Sequence, residues 1–217
     1  MIKVLVADDH DLVRKGIIRM LQDIDDIVIV GEADCGEQAL RLCRELPVDV
    51  VLMDVRMPGI GGLEATRKLV RTSTTTRVIA VSAFEEDPFP SRLLKAGASG
   101  FVTKGAEITD IIQAIRVVKD GQRYLSPVVA QQLALKSFDD NNAESPFDLL
   151  SERELQICMM IVNCHKVSDI SERLHLSPKT VNSYRYRLFE KLAITSDVEL
   201  TLLAIRHGML EVGVQEG

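Results

Sequence analysis

In the stretch VDVVLMDVRMPG, residues 48–59, the first seven residues form a short apolar run that ends in an acid, Asp54. A run of this length, followed by Pro58 and Gly59, is typical of a strand that is buried on both faces of a parallel sheet. In such sheets, ligands bind in the crevice at the carboxyl ends of the strands. Asp54 is therefore expected to lie in a cleft rather than on a solvated face.

Similar apolar runs recur along the first 122 residues. They cover residues 2–7, 27–31, 48–53, 77–81 and 100–103. Amphipathic stretches separate them, for example DLVRKGIIRMLQD at 11–23 and GEQALRLCREL at 36–46. Five such βα units predict an α/β domain over residues 1–122, with a five-stranded, doubly wound parallel sheet of the flavodoxin-like kind.

The rest of the chain has a different pattern. Residues 123–148 read as a helix, PVVAQQLALK, and a polar acidic linker, SFDDNNAESPFD. No strand-like run follows the linker. Residues 149–217 predict a small all-α domain of four helices, which are expected near 151–163, 167–175, 178–191 and 197–207.

Composition limits the class of protein. The chain has 217 residues, is 46% hydrophobic and 27% charged, and carries a formal net charge of −6. Its four cysteines form no C-x-x-C pair, which argues against a zinc ribbon or a disulfide framework. No signal peptide is recognisable, and no apolar run approaches the about 20 residues of a membrane span. We expect a cytoplasmic protein with no membrane partner.

Polar residues also end three other apolar runs. Asp8 and Asp9 end IKVLVADD, Ser82 ends TRVIAVS, and Lys104 ends GFVTK. Carboxylates are the ligands that Mg²⁺ prefers. With Mg²⁺ bound, Asp54 could attack a phosphoryl group, while Lys104 neutralises charge and Ser82 donates a hydrogen bond to a phosphoryl oxygen.

Plainer readings exist for some of these residues, and Ser82 alone could be a turn residue. Asp54 alone could be an ordinary helix N-cap, and His10, beside the acids, is better explained as a helix-start residue than as a ligand. PGIGG at 58–62 lacks the third glycine of a dinucleotide site, since Glu64 stands there. A phosphoaspartate hydrolase of the haloacid-dehalogenase kind needs a second Asp two residues after the nucleophile, where this chain has Arg56.

The second domain carries a helix-turn-helix pattern. Ser151 and Glu154 form a capping box at the start of its first helix, and Ser177 and Pro178 suit the start of the helix at 178–191. That helix is rich in basic and hydrogen-bonding side chains, which suits the major groove of DNA. The candidate DNA contacts are Lys179, Thr180, Asn182, Ser183, Arg185, Tyr186 and Arg187, with the arginines suited to phosphates. A solvated basic face, or a tail that binds RNA or protein, is the alternative.

The acidic set resembles the receiver domain of two-component response regulators over residues 2 to about 122. That resemblance implies that Asp54 is the phosphoacceptor and that Lys104 and Ser82 assist the transfer. It also implies Mg²⁺ as cofactor, held by Asp8, Asp9, Asp54 and the backbone carbonyl of Arg56. Ser82 and Phe101 would be the switch residues that move on phosphorylation.

Residues 149–210 resemble the LuxR-type helix-turn-helix of the NarL/FixJ regulators, through LSERE, LSPKTVNSYRYRLFEKL and SDVELTLLAIRHGML. Three motifs, PGIGGLEAT, SPKTVNSYRYRLFEKL and ITSDVELTLLAIRHGM, together look most like the GacA/UvrY subgroup. The resemblance implies a transcription regulator rather than an enzyme, with a BarA/GacS-type sensor histidine kinase and double-stranded promoter DNA as partners. It further implies control of small regulatory RNA genes and a homodimer, for which the helix at 197–207 is the candidate surface.

Two stretches depart from the family pattern. Pro88 and Pro90 lie where the fourth helix should begin, so we expect a short helix that starts near Pro90 and a mobile loop over 84–90. NCHKVSD at 163–169 replaces a turn that often contains glycine, which leaves the local turn geometry open.

Overall fold

The computed structural model describes residues 1–82, 89–138, 145–174, 176–207 and 209, leaving out the side chains of residues 89, 136–138 and 152. The chain divides into two compact units, Met1–Asp140 and Asn141–Gly217. In the described part of the chain, no helix combines the length and apolar character needed to cross a membrane.

The first unit alternates strands and helices. In chain order these are β1 Ile2–Ala7, α1 Asp11–Leu21, β2 Ile27–Ala33, α2 Gly36–Glu45, β3 Val50–Asp54, α3 Gly61–Thr72, β4 Arg77–Ser82, α4 Phe89–Lys95, β5 Gly100–Thr103, α5 Ile108–Lys119, β6 Tyr124–Leu125 and α6 Pro127–Phe138. All strand pairs are parallel, in the order β2-β1-β3-β4-β5-β6. The strand order reverses at β1, so the crevice between β1 and β3 is where this topology places a ligand.

Within the described residues the sheet has six strands rather than the five that the sequence predicts. The sixth, β6, has only two residues, too few to show a strand pattern. It forms because Gly121, at φ +82°, ends α5 and turns the chain back onto the sheet. Tyr124 then donates its N–H to the Ser99 carbonyl at 3.1 Å, and Tyr124 and Leu125 extend the β5 ladder.

Helices cover both faces of the sheet, as five βα units predict. Alternate residues of a strand point to opposite faces, and the core divides accordingly. Val4 and Val6 pack in a cluster with residues of α1 and α5, while Leu5 and Ala7 pack in a second cluster with residues of α2 and α3. Because strands β1, β3 and β4 are buried on both sides, their carboxyl ends are held at fixed positions.

The fourth helix begins at Phe89, close to the predicted start near Pro90. Pro90 therefore lies in the first turn, where a proline needs no N–H partner. Residues 83–88, which include Pro88 and most of the predicted mobile loop, lie outside the described residues, and that loop stays a prediction.

The second unit contains only helices among its described residues. A 3₁₀ turn at Pro146–Leu149 precedes α7 Glu152–Val162, α8 Val167–Arg173, α9 Pro178–Leu192 and α10 Asp197–Arg206. Phe147, from the end of the predicted linker, is fully buried and packs edge-on against His207 with ring centroids 5.9 Å apart. The four predicted helices are confirmed.

Candidate functional site

The predicted acidic residues meet at the carboxyl edge of the sheet. Asp8 directly follows β1 and Asp54 ends β3, the strand beside it. Both are buried, with only 1% and 2% of their surface exposed, whereas Asp9 and His10 are exposed. One ligand atom from each of these four residues lies within 4.8 Å of the others. Two buried carboxylates, Asp8 and Asp54, therefore lie beside a third, Asp9, that faces solvent.

Lys104 bridges the two buried carboxylates. Its Nζ lies 2.7 Å from Asp8 Oδ2 and 2.9 Å from Asp54 Oδ2. Burial favours the neutral amine, but the two acids outweigh it and raise the pKa of Lys104 above its ordinary value. Burial raises the pKa of Asp54 to about 6; the Lys104 charge opposes this shift and the Asp8 charge adds to it.

This donor set fits a hard divalent cation. Asp8, Asp9 and Asp54 supply oxygen atoms, which Mg²⁺ prefers, within one ion's reach. The two buried acids share one ammonium, so the ionised pocket keeps an excess of negative charge that a cation would neutralise. Oxygen ligands alone therefore suffice, and no nitrogen ligand is required.

His10 starts α1, as the sequence predicts. Its backbone is extended, its carbonyl accepts the Arg14 N–H at 2.9 Å, and its own N–H donates to Asp8 Oδ1 at 2.8 Å. Its side chain nevertheless joins the cluster, because Nδ1 lies 2.7 Å from Asp9 Oδ1.

Arg14 fixes the turn that carries the acid pair, a role the sequence reasoning missed. Its side chain is mostly buried and donates to the Asp8 carbonyl at 2.7 Å, to Asp11 at 2.8 Å and to Glu32 of β2 at 3.1 Å. The Asp8 N–H also donates to the Ala33 carbonyl at 3.0 Å. Asp8 is thus held through its N–H, carbonyl and side chain.

The loop after Asp54 is held by contacts that the sequence reasoning also missed. The Arg56 N–H donates to Asp54 Oδ1 at 3.2 Å, and Glu37 of α2 accepts the Ile60 N–H at 3.1 Å. Gly62 packs so closely that a Cβ there would lie 1.9 Å from the Asp54 carbonyl oxygen. The two adjacent glycines at 61–62 are the sequence signal that points to this close approach.

The two predicted switch residues lie on neighbouring strands. Ser82 ends β4, is buried, and accepts the Lys104 N–H on its carbonyl at 2.7 Å. Phe101 lies in β5, fully buried, and its carbonyl accepts the N–H of Ser126, the residue before α6, at 3.2 Å. The structure thus connects Ser82 to the acidic site, and Phe101 to the start of the helix that leaves the sheet.

The helix-turn-helix geometry is present in the second unit. Both N-caps expected from the sequence occur, with Ser151 accepting from Glu154 N and Ser177 accepting from Thr180 N. Glu154 is almost fully buried and accepts from Lys191 Nζ at 2.6 Å, which ties α7 to the end of α9. Burial opposes ionisation of Glu154, but the hydrogen bonds from Lys191 and Ser151 outweigh it and lower its pKa.

The turn between α7 and α8 forms without glycine. Cys164 adopts the left-handed conformation, with φ +60°. Its N–H donates to the Ile161 carbonyl at 2.9 Å, and the His165 N–H donates to the Met160 carbonyl at 3.0 Å. These bonds close the end of α7 in the left-handed conformation that a glycine normally adopts at this position. In Cys164 this conformation strains the backbone.

The outer face of α9 presents most of the predicted DNA contacts. Lys179, Ser183, Tyr186 and Arg187 are exposed, with 71% of Tyr186 accessible, while Thr180 and Asn182 are half-buried. The Arg187 guanidinium lies over the Tyr184 ring, 5.7 Å from its centroid. Val181, Leu188 and Leu192 are buried on the opposite face.

Arg185 differs from the other predicted contacts. Its guanidinium forms a two-point ion pair with Asp197, the first residue of α10, in which Nε donates to Oδ1 at 2.7 Å and the second bond joins Nη2 to Oδ2. It also lies over the Phe189 ring, 5.5 Å from the centroid. Two of its three nitrogen atoms therefore face α10.

A buried acid cluster on a receiver-type sheet and a capped helix-turn-helix together define a class. The model for the response regulator receiver domain matches residues 4–116, and the model for bacterial regulatory proteins of the luxR family matches residues 148–204. The chain belongs to the two-component response regulators that carry a LuxR-type DNA-binding domain. It is a transcription regulator by family, not an enzyme.

Relatives support the predicted subgroup. The chain is 67% identical over 211 residues to the response regulator GacA of Pseudomonas aeruginosa, covering 97% of this chain and 99% of GacA. It is 56% identical over 209 residues to the response regulator UvrY of Escherichia coli, covering 96% of each. A crystal structure of a LuxR-family two-component response regulator from Aurantimonas sp. matches with a TM-score of 0.61 and 34% identity, covering 63% of this chain and 98% of that one. The predicted likeness to GacA and UvrY is confirmed.

Proposed function

We propose that Asp54 accepts a phosphoryl group from a sensor histidine kinase and that this modification controls promoter binding by α9. The observation that carries the proposal is the buried Asp54 carboxylate, bridged by Lys104 to Asp8 at the edge of the sheet. Its other carboxylate oxygen atom, Oδ1, accepts the Arg56 N–H at 3.2 Å. A fixed carboxylate of this kind can act as a nucleophile.

The residues around Asp54 have separate roles in the transfer. Asp8, Asp9, Asp54 and the Arg56 carbonyl would hold Mg²⁺, which when bound neutralises charge on the phosphoryl oxygens. The Asp54 carboxylate forms the new oxygen–phosphorus bond while the phosphorus–nitrogen bond to the donor histidine breaks. Lys104 leaves its bridging position to pair with a phosphoryl oxygen, and the Ser82 hydroxyl donates a hydrogen bond to another.

Phosphorylation would act as a population shift between two receiver states. The added charge lies beside Ser82, whose strand neighbours the strand of Phe101. Movement of Ser82 and Phe101 toward the modified site would displace the Phe101 carbonyl, which holds the start of α6. Because only differential contacts can shift such an equilibrium, these two residues are the proposed switch.

The DNA interface would use the exposed face of α9. Lys179, Thr180, Asn182, Ser183 and Tyr186 would read base edges in the major groove. Arg187 would bind phosphate, since its guanidinium is exposed at the surface. The recognition helix keeps its orientation because Val181 and Leu188 are buried beneath it.

The bound form would be a homodimer joined through α10. Val198, Leu202 and Ile205 stand one or two turns apart on this helix, and 69%, 51% and 36% of their surfaces are exposed. Residues at this spacing form one apolar stripe, and a two-fold contact between such stripes places two recognition helices on paired half-sites.

The partners follow from the subgroup. With GacA 67% identical and UvrY 56% identical over almost the whole chain, we propose a sensor kinase of the BarA/GacS type and promoters of small regulatory RNA genes as the targets.

Two alanine variants test the DNA interface. Duplexes that the phosphorylated full-length protein selects from a random-sequence pool provide the specific site, and a scrambled duplex provides the control. Arg187→Ala should weaken binding to both, whereas Asn182→Ala should weaken mainly the selected site, by about 1–3 kcal/mol. Equal losses on both duplexes from Asn182→Ala would remove its base-reading role.

A further inference from the structure

Among the three predicted basic DNA contacts of α9, Arg185 differs from Lys179 and Arg187 because two of its nitrogen atoms are already paired with an acid within the unit. Two of its nitrogen atoms bind both carboxylate oxygens of Asp197, and the plane of the guanidinium stacks near Phe189. Two-point pairs of this kind fix relative orientation as well as charge. A phosphate contact by the same group would have to use the remaining N–H donors on Nη1 and Nη2, or break this pair.

The pair spans the turn between two helices. α9 ends at Leu192 and α10 begins at Asp197, with Ala193 in the left-handed conformation at φ +52°. Inside the turn, the Ile194 N–H donates to the Phe189 carbonyl at 3.0 Å. Arg185, two turns before the end of α9, therefore connects the middle of the recognition helix to the first residue of α10.

Charge at the start of α10 strengthens this connection. Asp197 lies in the first turn of α10, where the helix dipole favours a negative group. Ser196 caps the same turn by accepting the Glu199 N–H at 3.2 Å. The carboxylate that orients Arg185 is thus itself held at a defined position by the helix to which it belongs.

From this geometry we infer that Arg185 is a positioning residue rather than a DNA contact. Its ion pair with Asp197 sets the angle between the recognition helix and α10. The inference rests on the proposed role of α9 in binding DNA and of α10 in joining two copies, and it adds that the two functions share one ion pair. Asp197 then strengthens DNA binding although its carboxylate carries a negative charge, as DNA does.

The sign of the Asp197 effect separates the two roles. If Arg185 bound phosphate, removing the charge of Asp197 would release the guanidinium and remove a negative group near DNA, so affinity should rise. If Arg185 positions the helices, Asp197→Asn should weaken DNA binding as much as Arg185→Ala does. The double variant should then bind no more weakly than either single variant, because both remove the same interaction.

Salt dependence gives the second readout. Each phosphate contact contributes about −0.9 to the slope of log K against log salt concentration. Arg187→Ala is the matched control, since Arg187 lies on the same helix, stacks on an aromatic ring and has no ion pair within the described residues. Arg187→Ala should make the slope shallower by about 0.9, whereas Arg185→Ala and Asp197→Asn should lower affinity with the slope unchanged.

The experiment uses full-length phosphorylated protein and a duplex selected by the wild-type protein from a random-sequence pool. Affinity is measured by fluorescence anisotropy over a salt series, and amide hydrogen exchange checks that α7 and α8 remain folded in each variant. Exchange at the start of α10 should quicken in Arg185→Ala and Asp197→Asn and not in Arg187→Ala. Unchanged or tighter binding by Asp197→Asn, or a slope change of about 0.9 in Arg185→Ala, would overturn the inference. If Arg187→Ala left the salt slope unchanged, the proposed phosphate contact of α9 would be wrong. The Arg185→Ala and Asp197→Asn results would still test the positioning role.

Discussion

Replacing Gly62 with alanine should displace Asp54 within its site without changing any charged side chain. Gly62 lies in the first turn of α3, and its N–H donates to the Val55 carbonyl at 3.0 Å. A Cβ added there would lie 1.9 Å from the Asp54 carbonyl oxygen. Because even close carbon–oxygen contacts measure about 3.3 Å, Asp54 and the first turn of α3 must separate by more than about 1 Å.

The expected effect on the reaction is large. A misplacement of about 1 Å in a reacting group lowers a rate by about 100-fold. The same overlap should lower the free energy of unfolding by about 1–3 kcal/mol, which leaves a folded protein to assay. The measurement is the rate of Asp54 phosphorylation by acetyl phosphate, followed by intact-protein mass spectrometry across a Mg²⁺ titration.

Gly16→Ala is the matched control. A Cβ at Gly16 meets no atom within 4 Å, and the residue lies inside α1. The substitution should raise the free energy of unfolding by about 0.5–1 kcal/mol and leave phosphorylation unchanged. If Gly62→Ala were phosphorylated at the wild-type rate with the wild-type Mg²⁺ dependence, the close packing at Gly62 would not be what positions Asp54.

Three further predictions concern other contacts. Cys164→Gly should raise the free energy of unfolding by about 0.5–1 kcal/mol. It relieves left-handed strain of about 1–2 kcal/mol, and part of that gain is lost because the unfolded chain becomes more flexible. Urea unfolding measures the change, and the same gain in a Cys164→Ala variant would contradict the prediction. Glu154 has a lowered pKa beside Lys191, so its contribution to stability is fully present above the ordinary carboxyl pKa of about 4.3 and is lost as the pH falls through the lower folded pKa. Melting temperatures measured against pH should therefore fall less steeply in acid for Glu154→Gln than for the wild type. Arg14→Lys should weaken Mg²⁺ binding about tenfold, because a single ammonium cannot reproduce the contacts that hold the Asp8 carbonyl; an unchanged Mg²⁺ affinity, measured by calorimetry, would exclude that supporting role.

Much of the fold could be predicted because periodicity and burial agree in this chain. Strands β1, β3 and β4 are continuous apolar runs that end at Asp8, Asp54 and Ser82, and the parallel sheet brings those ends together. β6 was missed because two residues cannot show a pattern, and its pairing depends on where the turn at Gly121 directs the chain.

The supporting contacts of the site could not be predicted because they join residues that are distant in sequence. Arg14 reaches Glu32 across 18 positions and Glu37 reaches Ile60 across 23, each from a helix to a neighbouring element whose orientation is fixed only by packing. Arg185 looked like a phosphate contact because the helix pattern shows its charge but not its partner. Whether it meets Asp197 depends on the angle of the turn at Ala193.

We propose that a phosphoryl group on Asp54 controls DNA binding by the second unit. The most direct test is the affinity of the full-length protein for a selected duplex, measured with and without acetyl phosphate and Mg²⁺, for the wild type and for Asp54→Asn. We predict tighter binding by the phosphorylated wild type and no response from Asp54→Asn. Equal affinity of the phosphorylated and unphosphorylated wild type would show that phosphorylation of Asp54 does not control DNA binding.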